Sequence, residues 1–509
     1  MLLFRVLILL ATVALAGLAG LSLSLPVELG VVPTAEEAES LRHLSAALLA
    51  AAAALVSLPG LRWPRLGLAV LGVSGLSLLL SLRPAPAFVH RPPDLILITL
   101  DTVRADAFSF VNGDVPAANT PQLTALAARG LVFRQAFSPA AITGPAHASL
   151  LSGLHPLTHG ILLNGAPLPA DLPWVPERLQ EAGWYTEAWV SAAILEPSLG
   201  FGRGFSRYDS IFEDRLTAAL PLWPAPERTG FSRPGAQTVA AALAAPRPAD
   251  QKVFTWIHLY DAHWPYTPSQ AAAQAEGLES NAALEPKGLS LVLNVQSAWS
   301  DAEQQRGRAL YRAEVADVDA HVGEILAAAP QAAIVVVGDH GESLGEHGYL
   351  FNHGKLAFAP DTHVPLILSG PQLAPAVRDE VVDTTDVAAT LLALAGLPAP
   401  AEMASRSLLS PQPPRPQLSV TLSEGESDST FGSLSSVVMR ESARSLGGSR
   451  EHPIAAYQRA ADPRELVPVA ADGDDELRQS LESILAAEVS TIESSAEMED
   501  ALRALGYLE

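Results

Sequence analysis

At 509 residues the chain is long enough for one large catalytic domain with accessories and for a sizeable core. Its formal net charge of -23 lacks the basic face that nucleic-acid phosphates require, so no nucleic-acid partner is expected. With no cysteine there are no disulfides, no thiolate metal ligands and no cysteine nucleophile.

Three uncharged apolar stretches open the chain: 6–25 (VLILLATVALAGLAGLSLSL), 44–61 (LSAALLAAAAALVSLPGL) and 66–82 (LGLAVLGVSGLSLLLSL). They read as three transmembrane helices forming a membrane anchor over 1–82, the third at the short limit for a span. Arg5 precedes the first span, the loop after it carries Glu28, Glu36, Glu37 and Glu39, and the short connector between spans two and three carries Arg62 and Arg65. The positive-inside rule then places the amino terminus in the cytoplasm and everything beyond Leu82 outside. The expected location is the inner (cytoplasmic) membrane, with the remaining domain facing the periplasm or exterior. A cleaved signal peptide is the rival reading of the first span, since ALA at 14–16 resembles a cleavage site. None of the spans carries a mid-membrane charge, which argues against a transport pathway.

Residues 83–93 (RPAPAFVHRPP) form a stiff Pro-rich linker. DLILITLD is a buried strand whose end presents Asp101; TPQLTALAARG is a helix stopped by Gly130; LVFRQAF is the next strand. LPWVPERLQEAGWYTEAWVS reads helix, Gly turn, strand, and KVFTWIHLYDAH is a strand carrying His258, Asp261 and His263 towards its end. RALYRAEVADVDAHVGEILAAA is an amphipathic helix, AAIVVVGDHGE a strand ending in Asp339 and His340, HVPLILSG a strand and TTDVAATLLALAGL a helix. The alternation predicts an α/β fold: a mostly parallel central sheet with helices on both faces over 94–400. Over 401–509, Pro and Gly/Ser punctuation around short alternating runs predicts a small antiparallel sheet, followed by the helix DELRQSLESILAAEV, a C-terminal α+β subdomain.

In such sheets ligands bind beyond the carboxyl ends of the strands, where Asp101, His263, Asp339 and His340 are all expected. Two carboxylates and an imidazole suit a divalent cation such as Mn, Zn, Mg or Ca. Singly, each has an ordinary reading: Asp101 a helix cap, Asp339-His340-Gly341-Glu342 a turn, His263 a packing histidine, Thr143 a helix N-cap.

Five motifs in order change that weighting: LILITLDTVRAD; ITGPAHASLLSG followed by HG; WIHLYDAHWPY; YRAEVADVDAHVGEIL with VVVGDHGESLGEHG; and NHGKLAFAPDTHVPLIL. With the closing LRALGYLE, they resemble the sulfatase family within the alkaline-phosphatase superfamily, over roughly 93–509. The resemblance implies an alkaline-phosphatase/sulfatase-like sheet and one divalent metal held by Asp101, Asp339 and His340 with the Thr143 oxygen. A second metal is not excluded, with His353, His263 and Asp261 as its candidate ligands. It further implies that His263 and His353 bind the substrate's anionic group or protonate its leaving oxygen, with Lys355 as a substrate-facing cation.

The chain departs from the family where it matters most. Typical sulfatases have Cys-x-Pro-x-Arg, or Ser for the Cys, converted to formylglycine; here the string is Thr143-Gly144-Pro145-Ala146-His147. Thr is not a substrate for that conversion, and His147 stands where the Arg would steady the modified residue. Thr102 stands where many sulfatases place a further metal-binding Asp. A Thr nucleophile resembles the phospho-branch of the superfamily, including membrane-anchored transferases. The expected activity is therefore a hydrolase or transferase of phosphodiester or phosphonate esters, its anionic substrate a lipid headgroup, glycan or small molecule. A sulfuric ester hydrolase of arylsulfatase type is the alternative; a non-catalytic anion-binding sensor would predict lost ligands. Thr143 is expected to cap the helix it begins, which would aim backbone N–H groups and a dipole at the anion.

Overall fold

The computed structural model describes residues 94–111, 117–210, 232–248, 250–279, 299–422, 431–449, 453–469, 475–486 and 488–490. The three apolar stretches, the linker 83–93 and the closing LRALGYLE lie outside these residues. Among the described residues no helix is long and apolar enough to cross a membrane.

The central sheet is built from β1 (Leu95–Leu100), β2 (Leu131–Phe137), β3 (Tyr185–Val190), β4 (Arg207–Asp209), β5 (Val253–Leu259) and β6 (Ala333–Gly338). After a small hairpin, β7 (Ser343–Leu344) and β8 (Leu350–Asn352), it is completed by β9 (His363–Ser369) and β10 (Ala376–Asp383). The order across the sheet is β10-β2-β9-β6-β1-β5-β3-β4. The middle strands are unbroken apolar runs rather than alternating ones: every residue of β1 and β5 is buried. That is the composition of strands covered on both faces. Leu100 pairs with both Leu259 of β5 and Gly338 of β6, so these three strands end level. Asp101 and Asp339 are therefore delivered to the same edge at the same height.

Among the described residues only β9 runs against the others, pairing antiparallel with both β2 and β6. The run HVPLILS had nothing to show its direction, since a buried apolar strand reads alike both ways.

The helices that matter here are α1 (Pro121–Arg129), α2 (Thr143–Ser152), α3 (Val175–Glu181), α4 (Asp301–Ala328) and α5 (Asp386–Leu394). They pack in two groups, α1 with α4 and α2 with α3 and α5. Leu150, Leu151, Leu179, Leu391 and Leu392 of the second group join Leu97, Phe254 and Val335 of the strands in one core. A capping box between Ser300 and Glu303 starts α4. Gly130 ends α1 with an extended φ of -114 and not a left-handed one. What requires glycine is space, since a Cβ there would lie 2.7 Å from Leu368 O.

A second sheet joins β11 (Gln417–Leu422), β12 (Phe431–Arg440), β13 (Arg444–Ser449) and β14 (Ala455–Gln458), all antiparallel, with β15 (Glu488–Ser490) paired to β12. Helix α6 (Asp475–Ala486) lays Leu481 and Ile484 into its core beside Leu418, Val437 and Leu446.

Candidate active site

At the carboxyl edge of the central sheet, β1, β2, β5 and β6 each hand over to a reactive side chain. Backbone bonds from Asp101 N to Leu259 O (2.9 Å) and Asp339 N to Leu100 O (3.2 Å) continue the ladder one residue past the strand ends. Asp339 Oδ1 is held by the N–H groups of His340 (2.7 Å) and Thr102 (3.2 Å). Thr102 adopts a left-handed φ of 56 to make that turn. Its hydroxyl donates back to Asp101 O (2.7 Å) and its carbonyl accepts from Tyr311 Oη (2.8 Å). These three bonds hold a conformation that costs a non-glycine residue on the order of 1 kcal/mol.

The second oxygen of each carboxylate is left over. Asp101 Oδ1 and Asp339 Oδ2 are buried and without a hydrogen-bond partner. His340 Nε2 lies 3.9 Å from the first and 3.6 Å from the second. All three ligand atoms lie within 4.8 Å of one another. Burial, and then the charge of Asp101, push Asp339 well above the usual carboxylate range. Asp101 goes the other way: burial alone would raise it, but the His258 hydrogen bond and the His340 and His263 imidazoles hold it below its usual value. Burial and then His353 keep His340 neutral, its pKa well below the ordinary histidine value. Two orphaned carboxylate oxygens facing a neutral imidazole in a buried site fit a divalent cation, which would satisfy both.

Thr143 enters this nest from β2. Its hydroxyl lies 3.2 Å from Asp101 Oδ2 and 3.3 Å from His340 Nε2, and the residue is 2% exposed. The capping expectation is corrected. The N-cap of α2 is Ile142, in extended conformation, and Thr143 is the first helical residue, so its side chain is free of the cap and turned to the carboxylates. The dipole expectation also narrows. Gly144 N–H is taken by Asn164 Oδ1 (2.8 Å) and Pro145 has none.

His147, one turn on, sits beneath Thr143. It is fully buried, and its pKa is pushed down to about 3 by burial and the neighbouring His258. Nδ1 faces Thr143 O at 2.8 Å and Nε2 faces Thr99 Oγ1 at 3.0 Å, which in turn accepts from Trp256 Nε1 at 3.0 Å. One tautomer satisfies the whole chain: Nδ1–H donates to Thr143 O, and Nε2 accepts the Thr99 hydroxyl. His147, His258 and Asp339 form a second, overlapping group of possible metal ligands. Because both His147 nitrogens already have partners, Asp101, Asp339 and His340 are the better-fitting set.

His263 and His353 meet above the nest. Their ring centroids are 4.9 Å apart, and His353 is 4.5 Å from the His340 ring. His263 stacks on Tyr260 at 4.2 Å and is held below its ordinary pKa by burial and by His353. His353 moves up. Burial opposes its charge, but Glu342 Oε1, 3.2 Å from Nδ1, outweighs it. Lys355 is exposed, two residues further along the same loop, with its carbonyl bonded to Thr421 and Ser435 of the second sheet. Asp261 lies apart from the nest, accepting from Gly235 N (2.9 Å) and facing His321.

Sequence reasoning gave no role to His258, Glu342 or Asn164. His258 Nε2 lies 3.2 Å from Asp101 Oδ2 and is brought there by its register opposite Thr99 of β1. Glu342 completes the Asp339-His340-Gly341-Glu342 run that reads on its own as a turn.

The description of the matching family model is Sulfatase, over residues 93–397. The chain therefore belongs to the sulfatase family, whose members hydrolyse sulfate or phosphate esters. Enzymes of this superfamily use a divalent metal ion. Choline-sulfatase of Rhizobium meliloti (strain 1021) is 24% identical over 362 residues, 60% of this chain and 68% of that protein. A sulfatase of Formosa agariphila is 24% identical over 450 residues, 74% of this chain and 82% of that protein. The phosphonate monoester hydrolase of Silicibacter pomeroyi shares the fold with a TM-score of 0.57 at 21% identity, covering 76% of this chain and 92% of that one.

Proposed function

We propose that the protein is a metal-dependent hydrolase or transferase of phosphoric esters, phosphodiester or phosphonate, with Thr143 as its nucleophile. The observation that carries this reading is the Thr143 hydroxyl, 3.2 Å from Asp101 Oδ2 and 3.3 Å from His340 Nε2, inside a nest of orphaned carboxylate oxygens. A divalent cation bound by Asp101, Asp339 and His340 (Mn, Zn, Ca or Mg) would supply the charge that lowers a neighbouring hydroxyl's pKa and offsets the anion.

The chain's own residues do the rest. His147 and Asn164 fix the backbone of Thr143 and Gly144, so that the oxygen is held with little freedom. Thr143 Oγ1 passes its proton to Asp101 Oδ2, 3.2 Å away, and attacks phosphorus in line with the ester oxygen. The P–O bond to the leaving alcohol breaks and that oxygen takes a proton from His353, the imidazole whose pKa Glu342 raises. His263 and Lys355 take the remaining oxygens. Water or an acceptor alcohol, giving its proton to the now neutral His353, then displaces Thr143 Oγ1 from phosphorus, and that oxygen recovers its proton from Asp101. The likeness to a phosphonate monoester hydrolase supports a phosphorus centre.

A sulfuric ester is the second reading, favoured by the similarity to a choline-sulfatase and opposed by threonine at the nucleophile position. The three apolar stretches at 6–25, 44–61 and 66–82 support anchoring in the inner membrane with this site facing outward.

The test uses the full chain in detergent, loaded separately with each cation and offered phosphodiester, phosphonate and sulfate ester reporters. Turnover of a phosphorus ester with a phosphoryl adduct on the Thr143 peptide by mass spectrometry is the expected result. Turnover of sulfate alone with no adduct would overturn it for the second reading. Recovery in the carbonate-washed membrane fraction tests the anchor.

A further inference from the structure

The second sheet holds both loops of the active site at once. On one side β11 grips the segment that leads into Thr143: Val420 N donates to Pro139 O (2.9 Å) and Ser419 Oγ to Ser138 O (2.7 Å). On the other, the sheet and its following loop grip the segment after His353. The hydroxyls of Thr421 and Ser435 reach Lys355 O at 3.0 and 2.9 Å, and Arg440 Nη2 donates to Ala357 O at 2.7 Å. Glu465 Oε2 accepts from Ala359 N at 2.9 Å.

The two grips are joined at one buried residue. Arg440 is 0% exposed, and its guanidinium lies 4.5 Å from the ring of Phe137 at the end of β2. Nε and Nη2 bond both oxygens of Glu465 at 2.9 Å. Nη1 donates to Ser419 Oγ (2.9 Å) and Gln417 Oε1 (3.2 Å). With Ala357 O these acceptors use all five of its N–H groups. A continuous path of hydrogen bonds thus runs Ser138 O, Ser419 Oγ, Arg440, Ala357 O, from the nucleophile's loop to that of His353. A sheet needing only stability could fill this position with an apolar side chain. A fully satisfied ion pair fixes geometry instead.

We propose that the second sheet sets the separation between the nucleophile Thr143 and the His353–Lys355 loop, with Arg440, Ser419, Thr421 and Ser435 as positioning residues. The proposal rests on the roles given above to Thr143 and His353. Misplacing reacting groups by about 1 Å costs on the order of 100-fold. The loss falls in the step where nucleophile and proton donor act together.

The test compares Ser419→Ala and the double variant Thr421→Val/Ser435→Ala with Ser436→Ala in the full-length enzyme. Ser436 Oγ makes the same kind of bond, to Gly448 O at 2.8 Å, but wholly inside the sheet. The first two should lower kcat by about 10- to 100-fold with KM little changed. Ser436→Ala should shift Tm similarly and leave kcat alone, and Thr421→Ser, which keeps the hydroxyl, should restore the wild-type rate. Unchanged kcat in the first two, or an equal loss in Ser436→Ala, overturns the proposal. Thr143→Ala run alongside separates the layers: its inactivity beside wild-type kcat in the sheet variants overturns the positioning alone, whereas surviving activity in Thr143→Ala overturns both.

Discussion

The Thr143 hydroxyl lies 3.2 Å from Asp101 Oδ2, although the two residues come from different strand ends and are 42 positions apart in the chain. The contact exists because β1 and β2 deliver their carboxyl ends to one edge and because Ile142, not Thr143, caps α2. With Thr143 as the proposed nucleophile, Thr143→Ala should cost at least about 10³-fold in kcat, leaving only binding and charge stabilisation. Thr143→Ser, which keeps the oxygen, should retain measurable turnover. A Tm within a few degrees of wild type for both, read by circular dichroism, would confirm that the fold is untouched.

The orphaned oxygens of Asp101 and Asp339 make a second prediction, on stability rather than rate. In chelator-treated protein, Asp339→Asn should raise Tm by removing a buried carboxylate that burial and Asp101 already disfavour in its charged form. Wild-type Tm should climb when cation is restored, by the equivalent of about 2.7 kcal/mol at a hundredfold excess over Kd. Asp339→Asn should lose most of that climb. Calorimetry with and without cation reads both effects.

His155 and His159 are buried, and burial pushes both down to a pKa of about 3. In the unfolded chain they would titrate near 6.5. Folding therefore expels protons between those values. The sign follows: stability is complete above about pH 7 and falls as pH drops from 6.5 towards 3, by up to about 1.4 kcal/mol per pH unit for each histidine. Urea unfolding at pH 7.5, 6 and 5 should show this slope, and His159→Gln should flatten it.

Two glycines of α4 should respond oppositely to alanine. Glycine inside a helix costs about 1 kcal/mol relative to alanine. At Gly323 a Cβ would meet Gln122 Cγ at 2.7 Å, an exposed and flexible side chain that can move away. Gly323→Ala should therefore stabilise by a few tenths to about 1 kcal/mol. At Gly307 the Cβ would lie 2.0 Å from Phe351 Cζ, a ring 1% exposed and packed against Trp264, Trp299 and Tyr266. Gly307→Ala should destabilise by about 1–3 kcal/mol despite its better helix propensity. Thermal melts of the pair decide it.

Parts of this site were legible because strand ends are legible. An apolar run that stops at a carboxylate, as DLILITLD and AIVVVGDH do, announces where Asp101 and Asp339 will sit in a parallel sheet. His258 was visible on its strand, but its bond to Asp101 depends on register with β1, which no single strand encodes. Glu342 gains meaning only from a histidine eleven residues later, after a hairpin. Asn164 acts across twenty residues on a backbone N–H, a partner that carries no side-chain signature. The cap of α2 turned on one position, and composition does not resolve one residue. The second sheet was expected only as a small antiparallel sheet, without strand bounds, and β13 (RSLGGS) has none of the bulk that marks a strand.

The reversed direction of β9 has a bearing on how such an enzyme can diversify. β6 leaves the sheet at the catalytic edge and β9, its antiparallel neighbour, re-enters from that same edge. Everything between them, residues 339–362, is in effect one oversized hairpin loop anchored at both feet on adjacent strands. A crossover elsewhere in the sheet must return a chain across a whole face, whereas this excursion begins and ends at the edge that carries the candidate site. Insertions or deletions within it can reshape what the enzyme accepts while the strand register beneath stays fixed. Selectivity and scaffold are thereby separable in a single stretch of chain, a natural place to begin redesigning the specificity of this protein.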